Sequence, residues 1–334
     1  MRPITHITLA LIASAGATLA LLGAPTAAQA QAFPSKPMKY IVPFPPGGPT
    51  DTFSRALAAR LAEVVGQPVI VENVPGAGAS IGMDRVAKSA PDGYTIGLAT
   101  TGSHAINPAL YGPKLTYHPL KDFSHLSLAV SYINVLVVNP SLPINTVGEL
   151  VNYAKANPGK VNFGSAGNGS SNHLSGELLK TLSGAPMQHV PYKGSAPALT
   201  DVIAGQLTFM FDIPNVILPQ IRSGRVRALA VTSAKRSPYA PEIPTMAEAG
   251  LQGYAEAGSD LWFGIVGPAG IPKPVADKLN ADLVKALRSP EMTERMKTQF
   301  LDARPSTMEE FYKVVEADAA KWGKIVRASG ARVD

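Results

Sequence analysis

The sequence has no cysteine. Disulfides, thiolate metal sites and a cysteine nucleophile are therefore excluded. Charge is also scarce: 16% of residues are charged, the formal net charge is +6, and no run of Lys or Arg occurs. A nucleic-acid footprint or a polybasic membrane patch needs such a run, so neither partner is expected. The histidines His6, His104, His118, His125, His173 and His189 include no pair at metal spacing on a helix and no H-E-x-x-H, so no metal site is expected. No G-x-x-x-x-G-K-[ST] loop holds a nucleotide, and no G-x-S-x-G elbow presents a nucleophilic serine. After residue 22 no stretch is long and apolar enough to span a bilayer.

The chain does contain an export-type leader, residues 1–30. Arg2 supplies the positive start, Ile7–Leu22 is apolar and uncharged, and Ala28-Gln29-Ala30 is an A-x-A cleavage site. The expected mature protein is periplasmic, and its length suits about two domains at roughly 150 residues each. With 46% hydrophobic residues it can build a core.

Short Val- and Ile-rich runs bounded by Gly or Pro predict strands at 38–44, 68–73, 94–101, 134–139, 160–165, 187–192, 207–213, 227–233 and 261–267. Between them, apolar residues at helical spacing predict helices at 52–65, 146–156, 171–182, 275–288 and 308–328. Thr146/Glu149 and Ser306/Thr307 with Glu309/Glu310 supply the start signals for two of these. Such alternation indicates an α/β protein with largely parallel sheets. Crossings between two lobes are expected at Asn134–Pro140 and around 254–267; a simple division into N- and C-terminal halves is the alternative.

One architectural unit occurs twice. A strand enters VPFPPGGPTD (42–51), and a helix leaves it, with Thr50 and Asp51 as candidate N-caps. A second strand enters GSAGNGSSNH (164–173), where Ser170 or Ser171 is the candidate cap. Neither loop has a Lys or Arg. Open amides at a helix start, with bare glycine backbone beside them, suit an anionic group. The spacing of the two units suggests one per lobe.

Other stretches carry two readings each. GAGASIG (76–82) superficially resembles a dinucleotide fingerprint. Its G-x-G-x-x-x-G spacing and the lack of an acid near Gly97–Gly102 favour close backbone packing instead, with Ala79 and Ser80 as possible donors to a cleft floor. In TTGSHAINPALY (100–111), Thr100, Thr101, Ser103 and His104 follow a strand end and either face a ligand or cap and pack. Ser170 or Ser171 with His173 and the remote Asp212 has the residue types of a hydrolase triad, but helix capping is the commoner use of such serines. Asp51, Glu72, Asp92 and Asp212 show no spacing that pairs them. Trp262 and Phe263 serve a core or the hinge-side wall of a cleft.

YIVPFPPGGPTDTFSR, VENVPGAGASIG, KSAPDGYTI, TGSHAINPALY, GSAGNGSSNHLSGE, VPYKGSAPALTD, ALAVTSAKRSP and WFGIVGPAG together resemble the Bug family, the receptors of tripartite tricarboxylate transporters. The likeness runs from about Phe33 to the terminal SGARVD. It implies a periplasmic-binding-protein-like fold (type II, Venus flytrap) with two doubly wound lobes and two crossover segments. The lobes would comprise residues 31–137 with 257–334, and 138–256. It implies no catalysis, no cofactor, and an organic carboxylate held by main-chain amides from both lobes, with the membrane permease subunits of the transporter as partners. Carried onto this sequence, the site comprises Pro46, Gly47, Gly48, Pro49, Thr50, Asp51, Ala79, Ser80, Thr101, Ser103 and His104 on one side. On the other it comprises Ser165, Ala166, Gly167, Ser170, His173 and Asp212. Asp260, before the Trp, either faces the ligand or lies outside. A secreted serine hydrolase and a ligand sensor for a signalling kinase are the alternatives. Whichever ligand binds, the expectation is a grip by neutral amides without a fixed cation.

Overall fold

A computed structural model describes residues 33–255, 261–329 and 331. The expected leader, residues 1–30, and Asp260 lie outside these. The strands run β1 (Met38–Val42), β2 (Val69–Asn73), β3 (Thr95–Thr100), β4 (Phe123–Tyr132), β5 (Val135–Val138), β6 (Asn162–Ser165), β7 (Gln188–Pro191), β8 (Phe209–Asp212), β9 (Arg227–Val231), β10 (Leu261–Pro268) and β11 (Asp302–Ala303). The helices are α1 (Pro49–Val65), α2 (Ser80–Ala87), α3 (Asn107–Tyr111), α4 (Val147–Ala156), α5 (Ser171–Ser183), α6 (Ser195–Ile203), α7 (Pro214–Arg222), α8 (Lys273–Leu287), α9 (Pro290–Thr298) and α10 (Met308–Ser329).

Two sheets result. One has the order β11-β4-β10-β3-β1-β2, the other β7-β6-β8-β5-β9. Strands joined through a helix pair in parallel, as β1 does with β2 and β3 and β6 with β7 and β8. The sheets are nonetheless mixed rather than largely parallel. β10 runs antiparallel to β3 and β4, and β5 runs antiparallel to β8 and β9. The reason is connectivity. β4 and β5 are separated only by Ile133 and Asn134 and belong to different sheets, so the chain passes across there. It comes back between Val231 and Leu261.

Local chemistry explains most boundaries. Thr146 caps α4 by accepting from the Glu149 amide at 3.1 Å. Thr307 and Glu310 form a reciprocal box ahead of α10: the Glu310 amide donates to Thr307 Oγ1 at 3.2 Å and the Thr307 amide to Glu310 Oε2 at 2.9 Å. α1 begins earlier than its apolar stripe suggests, because Pro49 at its first position needs no amide partner and has the φ a helix requires. The six-stranded sheet packs on Ile41, Met83, Val86, Leu128, Trp262, Val266 and Phe311. The five-stranded sheet packs on Val135, Val137, Val202, Met210, Ile217 and Val231.

Candidate functional site

A cavity of about 560 Å³ lies where loops from the two sheets meet. From the six-stranded side, Phe44 to Thr50, Thr100, Gly102, Tyr132 and Phe263 line it. From the five-stranded side come Ala166, Ser170 to Asn172, Lys193 to Pro197, Asp212, Ile213 and Val216. Of the residues expected from sequence, Pro46, Gly47, Gly48, Pro49, Thr50, Thr100, Ala166, Ser170 and Asp212 are among them.

The 46–51 turn is built around Asp51. Its Oδ2 accepts from the Gly47 amide and from Arg55 Nε, both at 2.9 Å, and its Oδ1 accepts from Asn73 Nδ2 at 2.9 Å. Hydrogen bonding to Arg55, Gly47 and Asn73 outweighs burial and holds its carboxyl below the usual range. Asp51 is buried and absent from the lining, so it fixes the loop and uses up the Gly47 donor. The α1 start leaves the amides of Gly48, Thr50 and Asp51 without helical partners. The capping role expected of Thr50 and Asp51 falls to Gly48, whose extended backbone precedes Pro49.

The 165–173 turn uses the same economy. Ser165 Oγ accepts from the Gly167 amide at 3.1 Å and meets His189 Nε2 at 2.6 Å. His173 Nδ1 accepts from the Gly169 amide at 3.2 Å, and the His173 amide donates to the Ser170 cap at 3.3 Å. Ser165, Gly167 and His173 therefore brace the loop from behind and do not line the cavity. Ser170 and His173 form no nucleophile–base pair. Ser170 Oγ donates to Gly167 O at 2.7 Å, while the His173 ring lies against His189 at 3.9 Å between centroids. The open donors at this helix start are the amides of Ser171 and Asn172.

A third loop of the same design was not anticipated. β7 leads through Lys193 and Gly194 into α6, whose first residues Ser195 and Ala196 have open amides on the cavity. The signal was present in YKGSAP: a strand, a glycine, a hydroxyl and a proline at the helix start. This loop also brings a cation to the cavity, where the expectation was a grip by neutral amides alone. Lys193 lines the cavity and is exposed. The α7 start adds Ile213 and Val216, so four helix N-termini, each the positive end of a dipole, surround one space.

Asp212 ends β8 and is buried. Its Oδ1 accepts from the Ile213 amide at 2.9 Å and Asn172 Nδ2 at 3.1 Å. Its Oδ2 is buried without a hydrogen bond. Burial pushes the carboxyl up to about 6, against the opposing pull of the Ile213 amide, the Ser195 hydroxyl and Asn172. The remaining walls are apolar. Phe263 packs on Tyr132 and Phe53 at 4.7 and 5.8 Å between centroids. Strand alternation sends neighbouring Trp262 to the other face, where its Nε1 donates to Asp318 Oδ2 at 2.7 Å.

The other expected site residues lie elsewhere. Thr101 Oγ1 accepts from the Trp262 amide at 2.8 Å, tying β3 to β10. Ser103 is turned inward by a wide π-type turn, Gly102–Ile106, where its carbonyl accepts from Tyr117 at 2.7 Å. His104 is fully buried beside Phe123, 4.7 Å between centroids, with Nδ1 2.9 Å from Ser103 Oγ. Burial, helped by His125, keeps its ring neutral well below the usual histidine range. Ala79 and Ser80 open α2 away from the cavity, and Ser80 Oγ accepts from Asn107 Nδ2 at 3.1 Å. The GAGASIG stretch serves close packing: a methyl added at Gly78 would lie 2.0 Å from Asn168 O. Among the described residues no His, Asp or Glu cluster is arranged to hold a metal, and no helix is long and apolar enough to cross a membrane.

Comparison with known proteins agrees with this geometry. The family model described as "Tripartite tricarboxylate transporter family receptor" matches residues 53–331. The solved structure of periplasmic binding protein BugD superposes with a TM-score of 0.83 at 36% identity, covering 90% of this chain and 99% of that one. Rpa4515 of R. palustris with adipate gives 0.83 at 36%, covering 89% and 98%. MatC of Rhodopseudomonas palustris with bound malate gives 0.82 at 33%, covering 88% and 100%. The fold is that of the two-lobed periplasmic binding proteins. Three glycine-bearing loops around one cavity, on a chain matched over nearly all its length, place this protein in the tripartite tricarboxylate transporter receptor family, as a solute-binding Bug protein and not an enzyme.

Proposed function

We propose that the protein is exported, is cleaved after Ala30, and binds a small organic carboxylate in the 560 Å³ cavity. It then delivers this solute to the membrane permease subunits of a tripartite transporter. The lobes are residues up to Tyr132 together with those from Leu261, and the segment from Val135 between them. The observation that carries this reading is the convergence of open amides from loops on both sheets, with Lys193, on one cavity. One helix end offers about half a unit of positive charge and offsets only part of the desolvation of a carboxylate. Several ends and an ammonium together supply donors to all its oxygens. A ligand bonded to both lobes favours their closed arrangement only while it is present. A micromolar dissociation constant, about −8 kcal/mol, suffices for a carrier that must release its load. Adipate and malate in the related structures fit this ligand class, and the walls of Phe44, Tyr132 and Phe263 accommodate an apolar middle.

The test is calorimetric titration of the purified mature protein with adipate, malate, citrate and benzoate. Saturable binding of one of them, weakened by charge reversal at Lys193, supports the assignment. Absence of binding across the panel, with a melting temperature unmoved by millimolar ligand, refutes it.

A further inference from the structure

Asp212 is an acid on the cavity, and its two oxygens are held unequally. Oδ1 accepts from Ile213 and Asn172; Oδ2 is buried without a partner in hydrogen-bond geometry, and among the described residues the only further polar group drawing on the carboxyl is the Ser195 hydroxyl at the α6 start. Ionised, Asp212 would face a ligand carboxylate across the same small space, and two carboxylates sharing a site cannot both ionise cheaply. We propose that Asp212 binds the ligand in its neutral form, with Oδ2–H donating to a ligand carboxylate oxygen, so that each solute bound brings one proton from water onto Asp212. This rests on the carboxylate-receptor reading above and adds to it that binding is proton-linked.

Among the described residues no cationic side chain pairs with the carboxyl. β5 (VLVV) and β6 (NFGS), which flank β8, carry no titratable side chain. On α5, His173, Glu177 and Lys180 engage one another and His189 of β7: Lys180 Nζ is 2.8 Å from Glu177 Oε2, and the two imidazoles stack. On α6, Asp201 accepts from the Tyr192 hydroxyl at 2.5 Å. From β4, Tyr132 reaches Ser171 Oγ at 3.5 Å, and burial keeps its phenol protonated. Lys193 is on the cavity but makes no ion pair with Asp212. Burial pulls His173 and His189 down to about 3 and about 4, so they stay neutral between pH 6 and 8. Asp212, pushed up to about 6 by burial, is left to change charge there. An anion beside it raises it further, so affinity falls as pH rises from 6 until the liganded value is passed.

The experiment is titration with each panel member that binds, adipate first, from pH 5.5 to 8.5 in buffers of differing ionisation heat. The expected result is a dissociation constant that rises up to tenfold per pH unit above 6, with close to one proton taken up per ligand at pH 7. Asp212→Asn keeps a donor without a charge, so its affinity should match the wild type at pH 5.5 and be flat with pH. A wild type that binds with flat affinity and no proton uptake overturns the proposal and leaves the receptor reading intact. So does a folded Asp212→Asn variant that fails at every pH, or a preference for malate over adipate without proton uptake, because both make Oδ2 an acceptor. Failure of the whole panel at every pH removes the receptor reading itself.

Discussion

Lys193 and Asp51 show how far a residue's role depends on what already holds it. Lys193 is exposed on the cavity rim. An exposed charge contributes modestly in water, so Lys193→Met is expected to weaken carboxylate binding about fivefold, equivalent to roughly 1 kcal/mol. Raising salt should erase most of the difference. Calorimetry at low and high ionic strength checks both. Asp51 looks like a ligand contact in the sequence but is fully committed inside the loop. Asp51→Ala removes the acceptor of the Gly47 amide and of Arg55 Nε and one of the two acceptors of Asn73 Nδ2, which keeps Phe44 O; at part-buried positions each lost hydrogen bond costs about 0.5–1.5 kcal/mol. The expected outcome is a lower unfolding free energy in urea, unlike Lys193→Met, which should leave stability unchanged.

At the scale of elements, the loops of one sheet are fitted to those of the other by glycines. A methyl added at Gly102 would lie 2.5 Å from Gly169 O, and one at Gly169 would lie 2.0 Å from Asn107 Oδ1. Backbone has nowhere to move at the first position without shifting the 165–170 loop. Gly102→Ala is therefore expected to destabilise by about 1–3 kcal/mol, the range for overpacking. It should also weaken ligand binding, because the same shift separates Thr100 and Gly102 from Ser170; urea melts and titration of one variant read both effects. These contacts are between chain segments far apart in sequence, and no local pattern announces them. What sequence did announce was local: Gly47-Gly48 and Gly167 to Ser170 pair bare backbone with a helix start, and both loops reach the cavity. Lys193-Gly194-Ser195 follows a predicted strand and carries the same signature, but the helix it opens, Ser195–Ile203, is only nine residues long and is not among those predicted. β4 escaped notice because Ser124, His125 and Ser127 interrupt its apolar run, and these polar groups are satisfied internally, as with Ser127 Oγ against Ser306 O at 3.1 Å. His104 was undecidable from sequence, since only the π-type turn after β3 decides whether it points to the cavity or the core.

The molecule as a whole buries neutral histidines behind both sheets, and this sets its response to acid. His104 and His125 lie against the six-stranded sheet, and His173 and His189 against the five-stranded one. Burial comes first in depressing all four, with His125 and His189 held at about 4 and His173 at about 3. In the unfolded chain they regain values near 6.5. Below that pH the unfolded state binds more protons, so stability is present above 6.5 and is lost as pH falls toward each folded value. Each such group contributes about 1.4 kcal/mol per pH unit within its window. Asp212 acts in the opposite sense, because its raised carboxyl costs stability above about 6 and returns some of it as it protonates. One carboxyl cannot offset four imidazoles, so the unfolding free energy should fall by several kcal/mol between pH 6.5 and 4.5. His173→Gln keeps an acceptor for the Gly169 amide without a titrating ring; combined with His189→Gln it should roughly halve that slope while lowering stability at pH 7.5 only modestly. Urea unfolding of wild type and double variant across this range is the measurement. A wild-type stability that is flat or rises on acidification would show that water reaches the stacked pair and solvates its charge.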